Sequence, residues 1–197
     1  MRRWLFVVVT AAVLGLGTAC SSSPGESVPS NTPPASTGPL ESSSPGWTRY
    51  AQPAKMCDAV DTAALKDIYP TEEPNSEHLL NTSRSCSTAL IDGHHVLGLA
   101  VETDLVTDHA LAVDPNIGRE LYDTSRRLAS DTPTDIDGIG SAAFWYGDQY
   151  HMTLVTYDGN ISMTIHADVV NQTHTLASDM PARLGQVATA TLLRLRV

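Results

Sequence analysis

The sequence has little positive charge. It contains 12 Lys and Arg against 22 Asp and Glu, which gives a formal net charge of -10, and no basic run follows Arg3. A surface this acidic repels phosphate groups, so nucleic acid is not an expected partner. Direct adsorption to anionic lipid headgroups is disfavoured for the same reason. Any attachment to a membrane therefore has to come from something other than surface charge.

The sequence also lacks the common motifs of catalysis and cofactor binding. It has no GxSxG, Ser-x-x-Lys, HExxH or CxxC spacing. We therefore predict no catalytic residue, no metal and no cofactor, and expect a protein that is not an enzyme. A hydrolase built from Ser, His and acid residues that are distant in sequence remains the alternative, because such a triad needs no local motif.

The first twenty residues have the pattern of a bacterial lipoprotein signal. Arg2 and Arg3 precede an apolar run over residues 4–16, which is too short to span a membrane and typical of a signal-peptide core. The small residues 17–19 and Cys20 then resemble a lipobox, in which cleavage occurs before a cysteine that carries a diacylglycerol thioether. We predict a signal peptide over 1–19 and lipidation at Cys20, which places the protein on the outer face of the cell membrane. Ordinary secretion with an unmodified Cys20 is the alternative.

The cysteine count agrees with that assignment. The chain has three cysteines, so an exported protein would keep one unpaired unless it is modified. With Cys20 lipidated, Cys57 and Cys86 remain to form a disulfide in an oxidising compartment. A metal site made from these two cysteines alone is the less favoured alternative, because they lack the close spacing of metal ligands.

Composition divides the chain into a tether and a domain. Beyond Cys20, residues 21–46 are mostly Ser, Pro, Thr and Gly, with only Val28, Ala35 and Leu40 as larger apolar residues. Such a segment cannot bury enough apolar surface to offset the entropy of ordering the chain. We predict a disordered tether over 20–46 and one folded domain over 47–197.

The domain reads as an α+β fold in the order α-ββ-α-βββ-α. The predicted helices start at Asp61, at Asp114 and near residue 178, and a polar loop occupies 71–84. The predicted strands cover 87–91, 96–103, 142–146, 152–157 and 160–169. Asp158-Gly159 is a hairpin-turn signal. We expect an antiparallel sheet of about five strands with its helices packed on one face.

Two helices have a predicted buried face. The middle helix carries Ile117, Leu121 and Leu128 at helical spacing, which predicts that this stripe faces the core. The C-terminal helix has a longer stripe of this kind. Its members are Met180, Leu184, Val187, Ala188, Thr191, Leu192 and Leu195.

An aromatic group is the candidate ligand site. Alternation along the strand at 142–146 sends Trp145 to one face and Tyr146 to the other. Together with Tyr150 and Tyr157, these side chains could line a pocket for a small or lipidic ligand. Core packing is the alternative. The pair His94-His95 could ligate a metal, but neighbouring strand residues point to opposite faces, so solvent-exposed turn histidines are the favoured interpretation.

Four segments resemble a family of actinobacterial cell-envelope lipoproteins of uncharacterised function. They are Met56-Cys57-Asp58 before a short helix, Cys86 opening a strand, the Gly-x-Gly-x-x-Ala-aromatic segment 138–144, and the hairpin segment 157–160. The resemblance implies a lipid-anchored envelope location and this domain fold, and it implies no activity.

The leading functional hypothesis is a non-enzymatic envelope binding module. It would hold a small or lipidic ligand, or a partner protein, in a groove between the sheet and its helices. The alternative is a scaffold or sensor-accessory protein that acts by surface contacts with another envelope protein.

Overall fold

A computed structural model describes residues 48–114 and 116–197. The predicted signal peptide, Cys20, the tether, Trp47 and Pro115 lie outside the described residues. The helices are α1 (Met56–Ala59), α2 (Asp108–Val113), α3 (Ile117–Arg127) and α4 (Met180–Leu195), with 3-10 turns η1 (Ala63–Leu65) and η2 (Val170–Gln172). Within these ranges no helix has the length and hydropathy that a membrane span requires.

The strands of the described residues form one antiparallel sheet of eight members. They are β1 (Thr71–Glu72), β2 (Ser76–Leu80), β3 (Ser83–Asp92), β4 (His95–Leu105), β5 (Thr134–Ile136), β6 (Ala142–Gly147), β7 (His151–Asp158) and β8 (Ile161–Val169). Their order is β1-β3-β4-β8-β7-β6-β5, and β2 also pairs with β3. The predicted α+β class and antiparallel sheet are confirmed.

The predicted count of about five strands is wrong. The missed strands β1, β2 and β5 lie at the sheet edges, where β1 and β2 replace the predicted loop 71–84. Every residue of β1 is exposed, as are Ser76–Leu79 of β2, so neither strand has a buried face. Strands without a buried face do not need alternating apolar and polar residues, and these two do not have them. Without that alternation a short polar strand cannot be told from a loop by sequence.

The first face of the sheet packs against α4. Alternate residues of β8 from Ile161 to Val169 are buried, as the pattern predicted. All seven residues of the predicted α4 stripe are buried with them, so this prediction is confirmed. Most of the buried apolar residues lie on this face, which therefore forms the main core. Fully burying one Leu or Ile side chain stabilises the fold by about 1.5–3 kcal/mol.

The second face of the sheet is covered in part by α3, so the prediction that all helices lie on one face is wrong. Phe144 and Val155 point to this face and are buried beneath Tyr122 of α3. The ring centroids of Tyr122 and Phe144 are 5.1 Å apart in an edge-to-face arrangement. Aromatic pairs of this geometry add about 0.5–1.5 kcal/mol beyond the area they bury.

The predicted buried stripe of α3 is wrong for the same reason. Leu121 is 46% exposed and Leu128 is 78% exposed, whereas Gly118 and Tyr122 are buried. Gly118 faces the β7–β8 hairpin, where a Cβ would be in ordinary contact, 3.5 Å from the Gly159 carbonyl oxygen. Tyr122 is the larger side chain and occupies the site over Phe144, which leaves both leucines outside.

The N-terminal part of the domain differs from the predicted single helix. The chain forms α1 and η1 with a break between them, and Asp61 Oδ1 accepts a hydrogen bond from the Ala63 N–H at 2.9 Å. The predicted pairing of Cys57 with Cys86 is confirmed, with Cα atoms 5.0 Å apart. The bond ties α1 to the central part of β3.

Candidate ligand groove

A shallow groove runs between α4 and the connection from β5 to β6. It has a volume of about 440 Å³. Its walls are mostly apolar: the loop provides Ile136, Asp137, Gly138 and Ile139, and α4 provides Ala182, Gly185, Gln186, Thr189, Ala190 and Leu193. Leu193 is 65% exposed although it lies beside the main core. Ligand sites in proteins are typically concave and lined in this way by apolar side chains.

Glycines give the loop wall its shape. Gly138 and Gly140 have φ values of +79° and +55°, a region that side-chain-bearing residues rarely adopt. A Cβ on Gly140 would also lie 2.6 Å from the Tyr157 carbonyl oxygen. The segment 138–140 is therefore a tight turn against β7, which aims Ile139 at α4.

The contact between the loop and α4 depends on Gly185. Ile139 is buried, and a Cβ on Gly185 would lie 2.7 Å from Ile139 Cδ1. Glycine in a helix interior is about 1 kcal/mol less favourable than alanine, so its presence here needs a packing reason. Close seating of Ile139 on the helix is that reason, and it forms the floor of the groove.

The groove continues into a smaller polar pocket of about 220 Å³. The two share Thr189 and Leu193, and the polar pocket adds Tyr50, Asp158 and Arg196. The Tyr50 hydroxyl and the Ser141 hydroxyl each donate a hydrogen bond to the Asp158 carboxylate, the latter at 2.7 Å. Burial, together with the Asp158 hydrogen bond and charge, raises the pKa of Tyr50 above its usual range.

The hairpin between β7 and β8 anchors the start of the domain beside this pocket. Asp158 pairs with Ile161, so the turn residues are Gly159-Asn160, one position later than predicted. Asn160 Oδ1 accepts from the Tyr50 N–H at 2.8 Å, and Asn160 Nδ2 donates to the Tyr50 carbonyl at 3.1 Å. A side chain on Gly159 would clash with the Thr48 carbonyl. The segments 138–144 and 157–160 are also in contact, since the Ser141 N–H donates to the Tyr157 carbonyl at 2.9 Å.

The predicted aromatic site residues are not brought together. Trp145 packs against the main core, whereas Tyr146 and Tyr157 pack with the second cluster around Phe144, which confirms the predicted alternation. Tyr150 lies half-buried in the turn between β6 and β7. None of the four lines the groove described above, so their role in binding stays a prediction.

The candidate histidines of the described ranges lie at the β3–β4 turn and at the start of β7. The residues of these ranges contain no cluster of three or more side chains suited to a metal ion. His94 lies in the β3–β4 turn as expected, while His95 opens β4. His151 Nδ1 lies 2.9 Å from Asp168 Oδ1, but the other ring nitrogen lies 3.5 Å from the Gln172 amide and not near a serine.

The groove residues were missed by sequence reasoning. The usable signal was Gly185 inside the apolar stripe of a long helix, together with the Gly-x-Gly turn at 138–140. Comparisons of the chain with protein-family models, with curated proteins and with solved structures found no match. The groove is therefore described by its own geometry alone.

Proposed function

We propose that the chain is an extracytoplasmic lipoprotein, anchored in the cell membrane through Cys20, whose domain binds a small or lipidic ligand without catalysing a reaction. The N-terminal signal pattern, the Ser/Pro-rich tether and the odd cysteine count support the anchor. The apolar groove between α4 and the β5–β6 connection supports the binding role and is the observation on which it rests.

The groove has the size and lining of a site for a small apolar ligand. Its volume of about 440 Å³ lies within the range of roughly 300–1,000 Å³ common for ligand sites. The exposed Leu193 gives a ligand apolar surface to cover, and covering a Leu side chain fully is worth about 1.5–3 kcal/mol. The adjoining Tyr50, Asp158 and Arg196 would contact a polar end of the same ligand.

Native mass spectrometry of residues 47–197, exported to an oxidising compartment and purified gently, tests the binding role. We expect a discrete mass adduct that is lost on denaturation, and the added mass identifies the ligand class. A bare mass, together with no thermal stabilisation by a panel of lipids and small apolar compounds, would contradict the proposal.

The anchor is tested separately by replacing Cys20. In Cys20→Ser we expect the protein to leave the detergent-extractable membrane fraction, because no acyl chain can be attached. Cys57→Ser is the matched control, since it also removes one cysteine and should stay membrane-bound. Equal membrane association of both variants would contradict lipid anchoring at Cys20.

A second candidate is a scaffold that acts by surface contact. It is favoured by two exposed leucines, Leu121 on α3 and Leu128 directly after it, which are 46% and 78% exposed. Exposed apolar side chains of this kind can contribute to a protein contact site. In-cell cross-linking from position 121 would yield a specific partner if this candidate is correct and none if it is not.

A further inference from the structure

Two histidines stack at the end of the sheet where β3 joins β4. The ring centroids of His95 and His174 are 4.4 Å apart with planes inclined by 29°. His174 Nε2 lies 3.0 Å from the Tyr69 hydroxyl, and His95 Nδ1 lies 3.8 Å from Asp92 Oδ2. We call these four residues, Tyr69, Asp92, His95 and His174, the histidine clasp.

The histidine clasp joins three parts of the chain that are distant in sequence. Tyr69 follows η1, Asp92 and His95 flank the β3–β4 turn, and His174 lies in the connection from β8 to α4. Asn171 and Gln172 of that connection have φ values of +59° and +50°, a backbone region that residues other than glycine rarely adopt. A further tie is the hydrogen bond from the Leu176 N–H to the Gln149 carbonyl at 2.8 Å. The clasp is therefore one attachment of this connection, and the buried side chain of Leu176 is another.

Stacking at this distance suits neutral rings and opposes two charged ones. Asp92 Oδ2 lies 3.8 Å from His95 Nδ1. A positive charge on both rings would place two like charges at the 4.4 Å stacking distance. Burial, followed by the charge of His95, lowers the pKa of His174, while Asp92 acts in the opposite direction.

We propose that the histidine clasp is a pH-sensitive attachment of the β8–α4 connection, which holds at neutral pH and releases residues 170–179 when both His95 and His174 become protonated. The groups that face the pair are Tyr69 from the segment before β1 and Asp92 from the β3–β4 turn. Tyr69 is neutral at these pH values, since burial and then the charge of Asp92 raise its pKa. Among the described residues, Asp92 is therefore the acidic group that offsets the repulsion between two charged rings.

The direction of the pH effect follows from linkage. A histidine whose folded pKa is lowered binds its proton less readily in the closed state than in the open one. The attachment therefore has its full strength above about pH 6.5, the ordinary histidine pKa, and weakens as pH falls below that value. Each unit by which the pKa is lowered corresponds to an about tenfold change in the opening equilibrium.

Hydrogen exchange of the full-length chain in mild detergent measures this opening. We compare peptides that cover 170–179 at about pH 7.5 and about pH 5.5, the range in which histidine titrates, after correction for intrinsic exchange. Peptides from β8 serve as the internal reference. We expect protection of 170–179 to fall severalfold at the lower pH, while protection of β8 is unchanged. Equal protection of 170–179 at both pH values would overturn the proposal.

Variants assign the effect to the two rings. His174→Gln keeps a polar side chain beside Tyr69 but cannot be charged, and we expect it to remove the pH dependence of exchange at 170–179. His95→Gln should reduce that dependence and changes only a half-exposed ring, so it keeps the test valid if the first variant is unstable. His78→Gln, on the exposed edge strand β2, is the matched control and should respond as the unmodified chain does. A pH-dependent opening that persists in the His95→Gln, His174→Gln double variant would refute the clasp.

Discussion

Asn160 fixes the start of the domain, and its replacement by alanine should destabilise the fold strongly. The side chain is 8% exposed and makes two hydrogen bonds with the Tyr50 backbone, at 2.8 and 3.1 Å. The adjacent ladder bonds are made by Ala51 and Arg49, so Tyr50 relies on Asn160 for both of its own backbone groups.

The magnitude follows from leaving those groups unpaired. Each buried polar group that loses its partner costs about 1–3 kcal/mol, and some water can enter near the surface. For Asn160→Ala we expect the free energy of unfolding to fall by about 2–4 kcal/mol. Tyr50→Phe keeps both backbone bonds and loses only the hydroxyl bond to Asp158, so we expect a loss of about 1–2 kcal/mol.

Urea unfolding of residues 47–197, followed by tryptophan fluorescence, measures these differences. The control is Gln149→Ala, which removes an amide side chain from an exposed turn position and should change stability by less than about 0.5 kcal/mol. If Asn160→Ala is as stable as this control, the anchoring of Tyr50 by Asn160 is refuted.

Three further perturbations test the fold. Phe144→Ala should reduce the free energy of unfolding by about 3–5 kcal/mol, measured by urea unfolding, because it empties the second core; a loss below about 1 kcal/mol would contradict the burial of its ring. Replacing Cys57 and Cys86 together by serine should reduce it by roughly 3.5 kcal/mol through the loop that the bond closes, in the same assay; an unchanged midpoint would be the contrary result. Arg183→Gln should raise the pKa of Asp67 toward its ordinary value in a carboxyl NMR titration, because the Arg183 hydrogen bond lowers that pKa. The stability that this pair contributes is present above the ordinary Asp pKa and is lost as the pH falls through the lowered pKa. An unchanged Asp67 titration would show that the hydrogen bond is not formed.

The sequence predicts those helices and strands that have one solvent-exposed face and one buried face. β8 alternates from Ile161 to Val169, and α4 carries a stripe from Met180 to Leu195, so both were located together with their buried faces. For α3 the apolar stripe and the buried face differ. Its position depends on Tyr122 meeting Phe144, a contact between residues that no local pattern relates.

The groove was beyond sequence reasoning for a similar reason. Its floor is the contact between Ile139 and Gly185. These residues are distant in sequence, and neither belongs to a recognisable binding motif. The aromatic residues were predicted as a site because such side chains often line ligand pockets, yet the pleat sends Trp145 and Tyr146 to opposite faces. A residue type can suggest binding, but only the packing of α4 on the loop places the side chains around one space.

A paired comparison of two leucine variants tests whether the groove beside Leu193 binds an apolar ligand. Leu193→Gln and Leu79→Gln each replace a leucine of similar exposure, 65% and 61%, but only Leu193 lines the groove. Native mass spectrometry should show the ligand adduct retained in Leu79→Gln and reduced or lost in Leu193→Gln. Equal adduct in both variants would place the ligand elsewhere on the domain, and a bare mass in the unmodified domain would contradict the proposed binding.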